Sequence, residues 1–187
     1  MTLLNEILTY NEKFVEEKQY EAYTTTKFPN KRMVILTCMD TRLVELLPKA
    51  MNLKNGDVKI VKNAGASVNH PFGSAMRSIL IALYELGAEE VLVIGHHDCG
   101  MSKVNSHDTI QKMKQRGISD QTLDTLRFSG IDTEKWLAGF NSVEENVKNS
   151  VDMIRNHPLM DKSVPVHGLV INPETGKLDL ITEGYHS

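Results

Sequence analysis

Apolar residues follow two different rhythms along this chain. The run "MVILTC" (33–38) is short, continuous and rich in β-branched residues, the pattern of a strand buried on both faces. Leu43, Leu46, Leu47 and Met51 then recur at helical spacing, with Pro48 confined to an early turn or to the end of that helix. "VKIVKN" (58–63) predicts a second strand. The loop "NAGASVNHPFGS" leads from it into a helix that should start near Pro71 and stop at Gly87. The interior of that helix, "AMRSILIALYEL", is apolar on most sides, which predicts a place deep between layers or at an interface. "EVLVIGH" (90–96) predicts the third strand.

Between Met101 and Asn156 the rhythm is helical throughout. Asp132 reads as an N-cap, with Ile131 and Trp136 placed to form a hydrophobic staple around it. Ser142 and Glu145 form a capping box for a helix that carries Val143, Val147, Val151 and Ile154 on one face and stops at "NHP" (156–158). "VPVHGLVIN" and "KLDLITEG", joined by "PETG", read as a hairpin, so the last strand should be antiparallel. At the N-terminus Leu4, Ile7, Leu8 and Phe14 fall at helical intervals. Strands alternating with helices predict one α/β domain over residues 1–187. Its central sheet should be mostly parallel, with about four parallel strands plus an antiparallel edge strand, and be flanked by helices.

Composition narrows the function classes. With 41% hydrophobic and 24% charged residues in 187, the chain has the make-up of a soluble globular domain able to bury a core. A net charge of -3 lacks the basic excess of a nucleic-acid binder, and no stretch approaches the roughly 18 consecutive apolar residues of a membrane span. Asn5 and Glu6 interrupt any signal-peptide core, so a cytoplasmic location is expected. Small molecules or protein are the expected partners, with no nucleic acid and no membrane. In that compartment Cys38 and Cys99 should stay reduced, which favours catalysis or metal binding over a structural bridge.

The two cysteines sit in "CMDTR" (38–42) and "GHHDCG" (95–100), each at the carboxyl end of a predicted strand, where parallel sheets gather their ligands. Alternation along an extended chain turns Cys38, Asp40 and Arg42 to one side. His96 and Cys99, three apart, can grip one ion from a turn. Two thiolates and one imidazole are the ligand set of a catalytic zinc site with its fourth position free, and soft sulfur donors select zinc over magnesium or calcium. No third cysteine exists to close the site, and Asp40 is the nearby group able to fill the gap. Plainer readings stand beside this one: Cys38 as a small buried residue, Cys38 with Cys99 as a redox pair without a C-x-x-C, and Asp40 with Arg42 as a surface ion pair. His97 should face away from His96, and Asp98 should do no more than cap the turn. His70, His107, His157, His167 and His186 lack ligand spacing and read as structural or exposed. "KNAGAS" lacks the spacing and lysine of a P-loop and reads as a tight turn.

"CMDTR" followed by "NAG" and then "GHHDCG" resembles the β-class carbonic anhydrases, with their C-x-D-x-R and H-x-x-C motifs, and most closely the compact prokaryotic-type members. Lys62 stands where an arginine often precedes "NAG", and Ala66 where asparagine is common. The resemblance implies one zinc ion per chain held by Cys38, His96 and Cys99. It also implies a catalytic pair of Asp40 and Arg42, with Asp40 a fourth ligand in a closed state. The implied reaction is reversible hydration of carbon dioxide to bicarbonate by zinc-bound hydroxide; because two thiolates offset the charge of the ion, activity should rise into the alkaline range. Gly65 is expected to border the substrate site. A homodimer or dimer of dimers is implied, with residues 1–27 as a helical arm wrapping the partner and part of the pocket wall coming from the neighbouring subunit. Two alternatives share these motifs: a hydrolase of carbon disulfide or carbonyl sulfide, and a catalytically silent zinc-binding protein.

Overall fold

The computed structural model describes residues 1–185; His186 lies outside the described residues. Five strands make one sheet: β1 (Met33–Cys38), β2 (Val58–Asn63), β3 (Glu90–His96), β4 (Val166–Ile171) and β5 (Leu178–Thr182). Their order is β2-β1-β3-β4-β5, with β5 antiparallel to β4 and every other pairing parallel. This is the expected four-plus-one sheet. The chain leaves β1 toward β2 on one side and returns to β3 on the other, so the order reverses at β1. A crevice opens there, beyond the carboxyl ends of β1 and β3.

The inner strands β1, β3 and β4 are apolar on both faces because helices cover both. Val34, Leu36, Val91, Val93, Val166 and Val170 point to one face, where they meet α3 (Ser74–Tyr84) and α7 (Val143–Arg155) through Met76, Ile79, Val147, Val151 and Ile154. The alternate residues Ile35, Leu92, Ile94 and Ile171 point to the other face and pack with Leu43 and Leu47 of α2 (Leu43–Ala50). Pro48 sits in the last turn of α2, two residues before its end, so the hydrogen bond its missing N–H removes lies at the helix terminus.

Two glycines let α7 lie close on the sheet. A Cβ at Gly95 would stand 2.8 Å from a methyl of Val147, and one at Gly168 would stand 2.8 Å from the other methyl of Val147 and 3.2 Å from Val151. Neither approach leaves room for a side chain.

The helical insertion after β3 comprises α4 (Ser106–Gln115), α5 (Asp120–Phe128) and α6 (Thr133–Leu137). Three local expectations differ from what is seen. Residues 71–73 form a turn, closed by the Gly73 amide donating to the His70 carbonyl at 3.1 Å, so α3 begins later than Pro71. Trp136 is 72% exposed, and no staple forms; Asp132 alone caps α6 by accepting from the Lys135 amide at 3.0 Å. Ser142 accepts from the Glu145 amide at 3.2 Å, but its own hydroxyl turns to the Glu144 carboxylate, leaving half of the expected box.

At the N-terminus α1 (Leu3–Glu16) buries none of its residues. Leu3, Leu4, Ile7 and Leu8 all lie open to solvent. The segment that follows is tied to the approach to β2, with Asn55 Nδ2 donating to the Tyr23 carbonyl at 2.6 Å and the Asn30 amide donating to the Gly56 carbonyl at 3.0 Å.

Because Gly168 faces two valines of α7, Gly168→Ala forces a methyl into filled space. It should lower unfolding free energy by about 1–3 kcal/mol, read as a lower urea midpoint at unchanged slope. An unchanged midpoint would show that α7 can move off the sheet at no cost.

Candidate metal centre

The crevice is built from three segments. Cys38 ends β1, and the following residues leave the sheet as Asp40 to Arg42 turn into α2. His96 ends β3, and residues 97–99 make a turn in which Asp98 takes φ +51°. The third segment is the loop after β2, where Gly65 takes φ +83° and Ala66 φ +56°. Left-handed backbone at a non-glycine residue is uncommon. Two such residues flank this one crevice.

The parallel register of β1 on β3, with Thr37 opposite Ile94, sets Cys38 beside His96. Thr37 Oγ1 reinforces that pairing by donating to the Ile94 carbonyl at 2.9 Å. The sulfurs of Cys38 and Cys99 lie 3.8 Å apart, and these two atoms and a His96 ring nitrogen all fall within 4.8 Å of one another. A disulfide needs about 2.05 Å. Two sulfurs each about 2.3 Å from one zinc at the tetrahedral angle would sit about 3.8 Å apart. The observed spacing fits two ligands to one ion.

His96 meets the second requirement. Its Nδ1 lies 2.9 Å from the His97 carbonyl and so carries the proton, leaving the Nε2 lone pair directed into the cluster. Nε2 is fully buried and makes no hydrogen bond of good geometry to any described residue. A buried polar atom without a partner is costly, and a metal ion would satisfy it.

The charge balance also favours a cation. Burial pushes the Cys38 thiol up, but the His96 ring and the backbone amides of Gly65 and Asp40 outweigh it and bring Cys38 down to about 7. Burial, together with the neighbouring Cys38 charge, pushes Cys99 up to about 11. Burial would depress His96, yet the Cys38 sulfur and the His97 carbonyl raise it above its ordinary value. One thiolate is thus stabilised readily and the second is not. A dication between them removes that asymmetry.

Asp40 and Arg42 stand at the rim. Arg42 donates from Nε to Asp40 Oδ1 at 3.0 Å and from a terminal nitrogen to Oδ2 at 2.9 Å, a two-pronged pair of charge-assisted bonds. The Arg42 hydrogen bond holds the Asp40 carboxyl down at about 2, against 3.8 ordinarily. Asp40 Oδ2 is 3.6 Å from His96 Nε2, so the carboxylate borders the donor cluster while being held by Arg42. His97 turns outward as expected, its Nε2 4.0 Å from Asp179 on β5.

Several residues at the site escaped the sequence reading. Asp98 does more than cap the turn: its carbonyl accepts from Arg42 at 3.1 Å, its Oδ2 lies 3.5 Å from the same guanidinium, and its Oδ1 takes Lys103 at 2.5 Å. The signal was an acidic residue inside the H-x-x-C spacing, opposite an arginine in "CMDTR". Gly65 has no room for a side chain, since a Cβ there would meet Phe140 at 2.7 Å and Met101 at 3.2 Å. Met101 and Phe140 pack against the cluster that contains Cys38 and Cys99, giving the crevice an apolar wall from within the same chain. Nothing in sequence linked Phe140 to the motifs. Of the remaining histidines, His70 and His107 are exposed, whereas His157 and His167 are buried away from the crevice.

A fold and site of this kind define a class, and comparison with known proteins identifies it. The family described as carbonic anhydrase matches residues 33–178. The chain is 62% identical, over the whole of both sequences, to the "Putative carbonic anhydrase YtiB" of Bacillus subtilis. The crystal structure of the β-carbonic anhydrase isoform I of Trichomonas vaginalis superposes with a TM-score of 0.90 at 34% identity, covering 99% of this chain and 100% of that one. A carbon disulfide hydrolase of Acidithiobacillus thiooxidans is 30% identical over 157 residues, covering 80% of this chain and 76% of its own. The chain belongs to the β-carbonic anhydrase family.

The Asp40–Arg42 pair has a signature in acid. A carboxyl held below its ordinary value stabilises the fold fully above that value and loses the contribution as pH falls toward the folded one. The stability advantage of the wild type over Asp40→Asn should therefore be constant above about pH 5 and shrink between about pH 4 and pH 2. Urea titrations at stepped pH measure this, and a difference independent of pH would show that Arg42 does not hold the carboxylate.

Proposed function

We propose that this protein is a zinc-dependent carbonic anhydrase that interconverts carbon dioxide and water with bicarbonate and a proton. The observation that carries the reading is the Cys38–His96–Cys99 cluster with Asp40 at its edge, 3.6 Å from the free His96 nitrogen and gripped by Arg42. Cys38, His96 and Cys99 would hold one ion per chain. Zinc bound there supplies Lewis acidity that makes water a nucleophile near neutral pH.

The chain's own groups divide the remaining work. Asp40, with its carboxyl near 2, is ionised at every physiological pH and is too weak a base to abstract a proton efficiently. Its role is to accept a hydrogen bond from the attacking water and aim a lone pair at the substrate carbon. The proton then leaves to solvent or buffer. Arg42 fixes the direction of both Asp40 oxygens, and Asp98 with Lys103 fixes Arg42 from behind. Gly65, Met101 and Phe140 border the space where an apolar, weakly bound substrate sits. A reducing, cytoplasmic setting suits a centre that depends on two thiolates.

Freed from Arg42, Asp40 is close enough to the cluster to become a fourth ligand and shut the site. That arrangement is the silent alternative, and the two-pronged hold of Arg42 on Asp40 argues for the open one. Carbon disulfide is the other alternative, because its electrophilic carbon could be attacked by the same nucleophile. The 62% relative named for carbonic anhydrase, against 30% for the carbon disulfide hydrolase, favours carbon dioxide.

Purified wild type should carry about one zinc per chain and hydrate carbon dioxide in stopped flow, with activity rising into the alkaline range because two thiolates offset the charge of the ion. Cys38→Ser should lose zinc and activity together. Arg42→Ala should keep zinc and lose about 100-fold or more in activity. Zinc without carbon dioxide hydration at any pH would sink the reading, and turnover of carbon disulfide alone would transfer it to that substrate.

The arm, residues 1–27, we read as the element that embraces a second copy. In α1 the apolar positions Leu4, Ile7 and Leu8 share one side and none is buried within its own chain. Removal of residues 1–27 should convert a dimer or larger assembly to monomer in analytical ultracentrifugation; an unchanged sedimentation coefficient per subunit count would place the interface elsewhere.

A further inference from the structure

The donor cluster has an apolar wall beside it, and one aromatic ring closes that wall. Pairing of Cys38 with Asn63, sealed by the Met39 amide donating to the Asn63 carbonyl at 2.9 Å, sets the start of the Gly65 loop beside the first sulfur. Met101 follows the second sulfur, that of Cys99, directly after Gly100. Phe140 bridges these two segments, since a Cβ at Gly65 would meet its ring at 2.7 Å and the Met101 side chain at 3.2 Å. The residue before it is pressed onto the same place: a Cβ at Gly139 would fall on the Met101 carbonyl. The ring is half-buried and packs against the cluster that contains Cys38 and Cys99.

The loop beneath the ring is fixed. Asn146 of α7 uses both ends of its carboxamide: Nδ2 donates to the Gly65 carbonyl at 2.9 Å, and Oδ1 accepts from Ser67 Oγ at 2.8 Å. One turn further along α7, buried Ser150 accepts the Val68 amide at 3.0 Å. Asn63 donates to the Ser67 carbonyl at 2.7 Å and accepts the Ser67 amide at 3.1 Å. These polar groups are spent on holding the loop and are not offered to a substrate. A ring seated on a loop so held has a fixed position, and shortening it leaves space that the surroundings fill only in part.

We propose, resting on the carbonic anhydrase reading above, that Phe140 is the specificity-determining residue of this site: its ring sets the width of the substrate space, admitting carbon dioxide and obstructing its sulfur counterparts. Carbon dioxide and carbon disulfide are both linear and carry no hydrogen-bond donor, so polar contacts separate them poorly. Size separates them, because sulfur is the larger atom and C=S the longer bond. A difference of about one methylene against a packed wall is worth roughly 10–200-fold in discrimination.

The test compares the wild type with Phe140→Ala, Phe140→Leu and a control, Phe128→Ala, whose ring lies exposed at the end of α5. Zinc content is measured for each, with the ratio of kcat/KM for carbon dioxide to that for carbon disulfide. Calorimetry gives the affinities of the zinc-loaded proteins for cyanate and thiocyanate, linear anions that differ by the same exchange of oxygen for sulfur. Phe140→Ala should keep its zinc, lower the substrate ratio by about 10-fold or more and move the anion preference toward thiocyanate by a similar factor. Phe140→Leu, which preserves apolar packing, should fall between, and the control should match the wild type. A zinc-loaded wild type that hydrates no carbon dioxide would end the carbonic anhydrase reading, and the anion preference would still decide the role of the wall. If both Phe140 variants bind zinc and keep the substrate ratio and the anion preference of the wild type, the role of Phe140 is overturned.

Discussion

The parallel pairing of β1 with β3 is the constraint on which the rest of this molecule depends. Residues more than fifty positions apart become neighbours because Thr37 lies opposite Ile94 and the chain moves away from β1 in both directions along the sheet. A slip of one residue would reverse every side chain of β1. Ile35 and Leu36 would exchange faces, and Cys38 would turn away from His96. The apolar core on either side therefore protects the candidate metal centre indirectly, since the same burial that stabilises the sheet forbids the slip. Thr37, fully buried with its hydroxyl committed to the Ile94 carbonyl, is the polar residue that makes the register specific.

Electrostatics at the crevice follow one logic from the interior outward. At the centre, two sulfurs and an imidazole nitrogen face one another with a polar atom left unpaired, an arrangement that a dication completes. Around it the chain places alternating charge: the Asp40 carboxylate, the Arg42 guanidinium, the Asp98 carboxylate and the Lys103 ammonium. Each link holds the next in place, and the innermost, Asp40, is the one that needs fixed direction. Lys103 and Asp98 are solvent-exposed and contribute little to stability by themselves. Their value lies in geometry, because a guanidinium engaged by two partners cannot swing away from the first.

Much of this was legible in the sequence. The inner strands announced themselves because a strand covered on both faces is apolar at nearly every position, and the hairpin at 173–176 because turn residues separate two strand-like runs. The Cys38–His96–Cys99 cluster, which could hold a metal ion, was legible because cysteine and histidine at strand ends have few other uses in combination. What escaped was whatever depends on contact between elements with no shared pattern. Phe140 and Met101 reach the crevice through the packing of the helical insertion, and Asn146 through the rotation of α7; neither leaves a periodic trace. Asp98 was visible but ambiguous, since a turn residue and a partner for Arg42 look alike until the two segments meet. Trp136 failed as a staple because α6 is only one turn long and offers its large ring nothing to pack on.

The role of α7 joins these strands of argument. Gly95 and Gly168 are small so that Val147 can press onto β3 and β4, and the depth of that contact sets how far Asn146, one position earlier on the same helix, reaches over the sheet. A bulkier residue at either glycine would lift the helix by a fraction of an ångström to an ångström or more, which is comparable with the tolerance of a hydrogen bond. The Gly65 carbonyl would then lose its partner, although neither glycine touches the loop. Packing of an apolar kind and polarity at the metal centre are therefore coupled through one helix. In this fold the core does not merely support the site; it sets the distance at which a remote carboxamide can hold the Gly65 loop.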